Sequence, residues 1–175
     1  TPRRVPGRRP WGDLRFLVMI DAPASDTPVA VVDTIVEQGY HAIGFSPGAV
    51  TGSFTALVEG NVLRGTKEGM VVTGIKDGAD ITLSLELNRN RITSGLFDGA
   101  ESDQIGLVVS LSGERTKLDL VSEDNIIEKN ATMGVYMAAA FTFGVTTPDI
   151  PVGPSSHGNA IHWKSTNDKI WRNGN

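Results

Sequence analysis

The stretch from Asp80 to Asn88 constrains the fold of this chain more than any other. Ile81, Leu83, Leu85 and Leu87 alternate there with Thr82, Ser84, Glu86 and Asn88. A period of two puts all four apolar side chains on one face of an extended strand and leaves the other face to water. A chain that carries this pattern builds β-sheet. The same alternation returns at Ile105 to Leu111, with Leu107, Val109 and Leu111 on one side, and at Lys117 to Val121, with Leu118 and Leu120 inward. Ser112-Gly-Glu-Arg-Thr116 lies between them, so the pair is expected to form a hairpin.

Further strands are expected at Leu14 to Ile20, Ser53 to Val58, Gly69 to Ile75 and Met133 to Val145. In the last, Val135, Met137, Ala139, Phe141 and Phe143 share one side. Gly134, Ala138 and Ala140 on the other side permit close approach of a second layer. Residues 28–38 send a mixed signal. Asp26-Thr-Pro28 offers a helix start and Gly39 a stop, whereas Val29, Val31, Val32, Thr34, Ile35 and Val36 are β-branched and lose rotamer freedom in helices. The marked ends favour a short helix. No fixed period of 20–50 residues repeats, so a solenoid or propeller is not expected. Strands about ten residues apart with turn signals between them point to an all-β antiparallel sandwich of roughly seven to nine strands, jelly-roll or immunoglobulin-like. The expected organisation is an arm or linker over 1–12, the sandwich over 13–147 and an extended C-terminal arm over 148–175. Ile161, Trp163, Ile170 and Trp171 in that last segment imply docking on the chain's own body or on a neighbour.

Composition narrows the chemistry. None of the 175 residues is Cys, which excludes disulfides, thiol nucleophiles and zinc–thiolate sites. No apolar run is long enough to span a bilayer as a helix, and the start does not read as a signal peptide. The first residue is Thr rather than Met, as expected of a processed product or a fragment.

The net charge of −4 is segregated. Arg3, Arg4, Arg8 and Arg9 lie in a Pro- and Gly-rich arm without acids, leaving 12 of the 16 basic residues against 20 acids, a balance of −8. Contact with nucleic acid or an acidic partner is therefore assigned to those four arginines, since phosphate neutralisation needs clustered cations.

Catalysis is poorly provided for. His41 follows Tyr40 and reads as structural. His157 and His162 share a polar loop in which Asp168 would have to complete any zinc site, and that spacing matches no metal motif. No Gly-x-Ser-x-Gly elbow or phosphate-binding glycine loop is present. Asp98, Glu101 and Asp103 are candidate calcium ligands by oxygen content alone, without EF-hand spacing. Asn130-Ala-Thr132 matches an N-glycosylation sequon, taken as chance. Trp11, Trp163 and Trp171 are the candidate anchors, and Trp163, Trp171 and Asp168 together are a candidate sugar platform. No metal or other cofactor is expected.

An arginine-bearing arm, an acidic β-rich body and an anchoring tail resemble coat proteins of small icosahedral RNA viruses. The residues that carry this resemblance are Arg3, Arg4, Arg8 and Arg9 and the strand series over 53–145. It implies a non-enzymatic self-assembling capsid or projection component in a virion, otherwise a cytoplasmic protein. The implied partners are further copies or neighbouring subunits, with RNA bound through the arm. Four arginines are fewer than such arms usually carry, which makes a linker between shell and projection an equal reading of the arm. Some such coat proteins also cleave themselves after an Asn, as the final residue here, Asn175, is. The alternative is a carbohydrate-binding or host-attachment module that takes a host glycan, with a hydrolase as the third reading.

Overall fold

The computed structural model describes residues 16–20, 28–45, 51–72, 80–93, 104–111, 115–139, 142–144 and 159–174. The described residues hold fourteen strands and no helix. In chain order they are β1 (Phe16–Ile20), β2 (Val29–Val32), β3 (Ile35–Phe45), β4 (Thr51–Glu59), β5 (Val62–Val72), β6 (Asp80–Asn88) and β7 (Arg91–Thr93). After them come β8 (Ile105–Leu111), β9 (Lys117–Glu123), β10 (Ile126–Glu128), β11 (Met133–Ala139), β12 (Thr142–Gly144), β13 (Ala160–Thr166) and β14 (Lys169–Trp171).

Every described strand pair but one is parallel. One sheet runs β13-β9-β6-β4-β2; the other runs β12-β11-β8-β5-β7-β10-β14, with β3 on β5 and β1 on β3. The exception is β12, which folds back on β11 with Met137 opposite Gly144. The strands β3 and β5, 11 residues each, bend and serve two faces. Val62 to Arg64 lie beside β7, and Glu68 to Val72 lie beside β8. Gly65, at φ 66°, supplies the left-handed backbone at the β5 bend, a conformation that glycine adopts without steric cost. The chain thus winds in coils: a strand of the first sheet, a tight turn, a short strand on a second face, then a strand on a third. Stacked coils form a three-faced parallel solenoid.

This overturns the antiparallel sandwich. Alternation tells which side chains face the core, but it is silent on the direction of the neighbouring strand. The expected hairpin shows the consequence, because β8 pairs with β5 and β11 whereas β9 pairs with β6 and β13. The two strands therefore belong to different sheets. The helix expected over 28–38 is also replaced, by β2, a turn at Asp33 with φ 49°, and the start of β3. There the β-branched preference wins over the end signals. The solenoid, not expected for want of a fixed period, is present because its period varies. Equivalent turn residues are 27, 29, 35 and 43 positions apart along the series Thr34, Asn61, Asn90, Asn125 and Asp168. Residues 160–171, assigned to an extended arm, form β13 and β14 and complete the last described coil.

Inward side chains stack in columns. Phe54, Leu83, Leu118 and Ile161 form one, Ala56, Leu85, Leu120 and Trp163 another, and all eight are buried. On the second face Val36, Leu63, Ile92 and Ile127 are buried in register, with Ile170 partly buried at the end. Burial of each large aliphatic side chain stabilises the fold by about 1.5–3 kcal/mol. A third column needs smallness instead. A Cβ on Gly69 would lie 2.6 Å from the Gly106 carbonyl oxygen and 2.2 Å from Ile92 Cγ2, and one on Gly106 would lie 2.6 Å from the Gly134 carbonyl oxygen. Backbone meets backbone there, so a side chain has no room.

Candidate functional site

The polar groups of the interior are arranged by the turns. Asn61, Asn90 and Asn125 are buried at equivalent positions, each two residues beyond the end of a first-sheet strand. Each amide oxygen accepts from the backbone N–H one coil back: Thr34 to Asn61 at 2.9 Å, Asn61 to Asn90 at 3.0 Å and Asn90 to Asn125 at 2.9 Å. Each Nδ2 donates to a strand carbonyl of that preceding coil, Val31, Val58 and Leu87 in turn, at 2.7–2.8 Å. This ladder places backbone donors and acceptors that the tight turn would leave orphaned, a need every buried peptide group imposes. Shorter ladders join Asn130 to Asn173 and Thr116 to Asn159. The residues just before the ladder, Asp33, Gly60, Arg89, Asp124 and Asn167, all have φ between 49° and 67°, which makes the turn two residues long.

At Asp168 the ladder changes from amide to carboxylate. Its Oδ1 accepts from Asn125 N and Nδ2, both at 2.8 Å, and its Oδ2 accepts from Ser165 Oγ at 2.6 Å and from Ser122 Oγ. Ser122 Oγ in turn accepts from Trp163 Nε1 at 2.8 Å. The column Val58–Leu87–Ser122–Ser165 thus turns from aliphatic to hydroxyl where the carboxylate needs donors.

A group of ionisable side chains sits where β3 and β5 run side by side. Lys67 Nζ donates to Tyr40 Oη at 2.8 Å and stands 4.6 Å from the ring centroid. His41 Nδ1 lies 2.7 Å from Glu68 Oε2, a close approach off the ideal hydrogen-bond direction, and the rings of Tyr40 and His41 meet edge to face. An imidazole against a carboxylate and a phenol under an ammonium are groups able to move protons. Here they face one another across adjacent coils, and Lys67 is 7% exposed, so their first effect is to tie the coils together. Ion pairs Glu37–Arg64, Glu59–Arg89 and Arg91–Glu128 also bridge coils.

The terminal coils carry most of the exposed apolar side chains. Among the described residues the large hydrophobics left open are Val32, Ile35, Tyr40, Val121 and Trp171. Val32 (43% exposed) and Ile35 (65%) flank the first turn, and Trp171 (47%) ends β14 with the Arg172 guanidinium 4.5 Å from its ring centroid. Charge is divided between the same two ends. Residues 28–45 hold Asp33 and Glu37 and no Lys or Arg, whereas residues 159–174 hold Lys164, Lys169 and Arg172 against Asp168 alone. The Asp168 carboxylate is already occupied by interior donors, and Glu37 is paired with Arg64.

Of the residues singled out in the sequence, Trp163 is 4% exposed and part of the core, Asp168 is the ladder terminus and Trp171 is on the surface. The three do not form a common platform. His162, in β13, lies 3.6 Å from Asp119 of the neighbouring β9. Arg3, Arg4, Arg8, Arg9, Trp11, Asp98, Glu101, Asp103 and His157 lie outside the described residues. Among the described residues no group of three or more His, Asp or Glu side chains is placed to hold a metal, and no helix is long and apolar enough to cross a membrane. Sequence reasoning missed Val32, Ile35, Lys164, Lys169 and Arg172, which matter only through their place on the terminal coils. The signal that locates them is the recurring turn, Glu59-Gly-Asn61, Asn88-Arg-Asn90, Glu123-Asp-Asn125 and Thr166-Asn-Asp168.

Comparison with protein-family models, with characterised proteins and with solved structures finds no match to this chain.

Proposed function

We propose that the chain is a structural element that works by self-association, a building block of a larger assembly rather than a catalyst. The observation that carries this reading is the gathering of exposed Val32, Ile35 and Trp171 on the two terminal coils, where β2 and β13 stand as sheet edges. Open edges with apolar side chains beside them are templates for further pairing. A rigid stack of coils, its interior polar groups held by the asparagine ladder, suits a load-bearing part better than a moving one. A virus coat or projection is the setting suggested by the sequence, and RNA contact in it would fall to Arg3, Arg4, Arg8 and Arg9.

Static light scattering over rising protein concentration tests the proposal. Growth in mass with concentration supports it, and a monodisperse monomer at every concentration rejects it. Exposed Trp171 with Arg172 over its ring favours one second reading, a carbohydrate-binding surface. In that case Trp171→Ala abolishes binding on a glycan array while leaving the far-ultraviolet circular dichroism unchanged.

A further inference from the structure

We infer that Asn173 is a site of covalent modification by water, a deamidation that the docked last coil holds off and that keeps this coil from docking again once it has occurred. Asn173-Gly174 is the only Asn-Gly pair in the chain. Glycine has no Cβ, so its backbone nitrogen is unhindered as a nucleophile toward the preceding side chain. In the reaction Gly174 N gives its proton to base and bonds to Asn173 Cγ. The Cγ–Nδ2 bond breaks and Nδ2 leaves as ammonia. Water then opens the cyclic imide at either carbonyl, leaving aspartate or isoaspartate. Amide and water become acid and ammonia, with no change of oxidation state. The other ladder asparagines, Asn61, Asn90 and Asn125, precede Val62, Arg91 and Ile126, whose side chains obstruct the same attack.

In the stack every reacting group is committed to the preceding coil. Gly174 N donates to Asn130 O at 2.9 Å. Asn173 Oδ1 accepts from Asn130 N at 3.1 Å and from Asn130 Nδ2 at 2.7 Å, and its Nδ2 donates to Ile127 O at 2.9 Å. A nitrogen whose hydrogen rests on a carbonyl oxygen resists losing it, because the anion would face that oxygen. Asn130 is buried whereas Gly174 is exposed, so this clamp opens from its outer side by fraying of the coil. The product no longer fits. At Asp168 a carboxylate is accepted because Ser122 and Ser165 hydroxyls donate to Oδ2. At 173 the corresponding oxygen would meet Ile127 O, acceptor against acceptor. Isoaspartate adds a backbone carbon and shortens the side chain, which takes the carboxylate away from both Asn130 donors. Loss of this end loosens β14 from β10, whose Ile127 and Glu128 pair with Ile170 and Trp171.

The test follows acid formation at residue 173 by peptide mass spectrometry in mildly alkaline buffer, with Asn173→Gln as the unreactive control. Folded protein is expected to react slower by about tenfold or more than the same chain unfolded in urea. Asn130→Ala, folded by circular dichroism, is expected to react faster than the unmodified protein. If that variant does not fold, urea below the unfolding transition takes its place and is expected to raise the rate while β6 stays protected. Equal rates in the folded and unfolded chain, or a rate indifferent to loosening, overturn the clamp. The second arm compares amide hydrogen exchange in unmodified protein and in Asn173→Asp, or in aged protein separated by charge if that variant does not fold. Exchange in β14 and at Gly174 is expected to quicken by about tenfold or more, with β6 unchanged. Unchanged exchange in β14, or an equal rise in β6 and β14, overturns the one-way release of the last coil.

Discussion

Asn61 and Asn90 are 29 residues apart in the chain, yet Nδ2 of Asn61 donates to Oδ1 of Asn90 at 2.9 Å. That contact holds two coils in register, and the same amide oxygen also accepts from Asn61 N at 3.0 Å. Replacing Asn90 by Leu removes acceptor and donor together. The Asn61 backbone N–H and Nδ2 lose their acceptor, and the Val58 carbonyl and Asn125 Oδ1 lose the Asn90 donor. At 1–3 kcal/mol for a buried group left unsatisfied, the expected loss is about 3–5 kcal/mol, read by urea denaturation. Thr34 stands at the open end of the ladder with its Oγ1 bonded to Val32 O, so Thr34→Val is expected to cost under about 1 kcal/mol.

Gly106 faces backbone on one side and a core side chain on the other. A Cβ there would lie 2.4 Å from Ile127 Cγ2 as well as 2.6 Å from the Gly134 carbonyl oxygen. The backbone cannot rotate away as a flexible side chain would. Gly106→Ala is expected to destabilise by about 2 kcal/mol or more, as a lowered melting temperature and urea midpoint.

Asp168 is the one member of the ladder series that is a carboxylate, and it accepts four hydrogen bonds. In Asp168→Asn the Oδ1 acceptor survives, and the new amide can donate to Ser122 Oγ or Ser165 Oγ. The change is expected to cost about 1 kcal/mol, against about 3 kcal/mol for Asp168→Ala, which strands both Asn125 donors. Equal losses for the two variants in chemical denaturation would show that the carboxylate is not held in this way.

The alternating stretch Asp80–Asn88 announced β6 and its buried face directly, because strand period depends only on local geometry. Parallel pairing was hidden, since it is a relation between segments 27 to 43 residues apart. The turns were readable in retrospect: Gly60 and Asn167 tolerate positive φ, and the Asn two residues past each strand end has a partner only if coils stack. Unequal coil lengths concealed the repeat, and Arg89 at φ 54° broke the expected glycine signal. The site was less legible. Trp163 and Trp171 look alike in sequence, and only the register places one in the core and the other at the edge.

That difference is itself measurable. Trp163→Ala empties a buried site and is expected to cost about 3–5 kcal/mol, whereas Trp171→Ala should stay within about 0.5 kcal/mol of the unmodified protein. Iodide should quench Trp171 fluorescence and leave Trp163 largely protected, as compared in Trp163→Phe and Trp171→Phe, both made in a Trp11→Phe background. Trp163→Phe also removes the donor to Ser122 Oγ, for a loss of about 1 kcal/mol beyond the change in ring size.

The parallel coil stack underlies every statement above, and one intramolecular distance tests it. Ala30, Leu57, Glu86, Val121 and Lys164 occupy one outward row in successive coils. The chain has no cysteine of its own, so Ala30→Cys and Lys164→Cys give a cleanly double-labelled protein. Four inter-strand steps place the two Cα atoms about 19 Å apart. Electron–electron resonance on spin labels at these positions, diluted with unlabelled protein to suppress contacts between copies, should return a narrow distribution near about 2 nm. A broad distribution, or one centred well beyond about 3 nm, would contradict the stacked parallel solenoid.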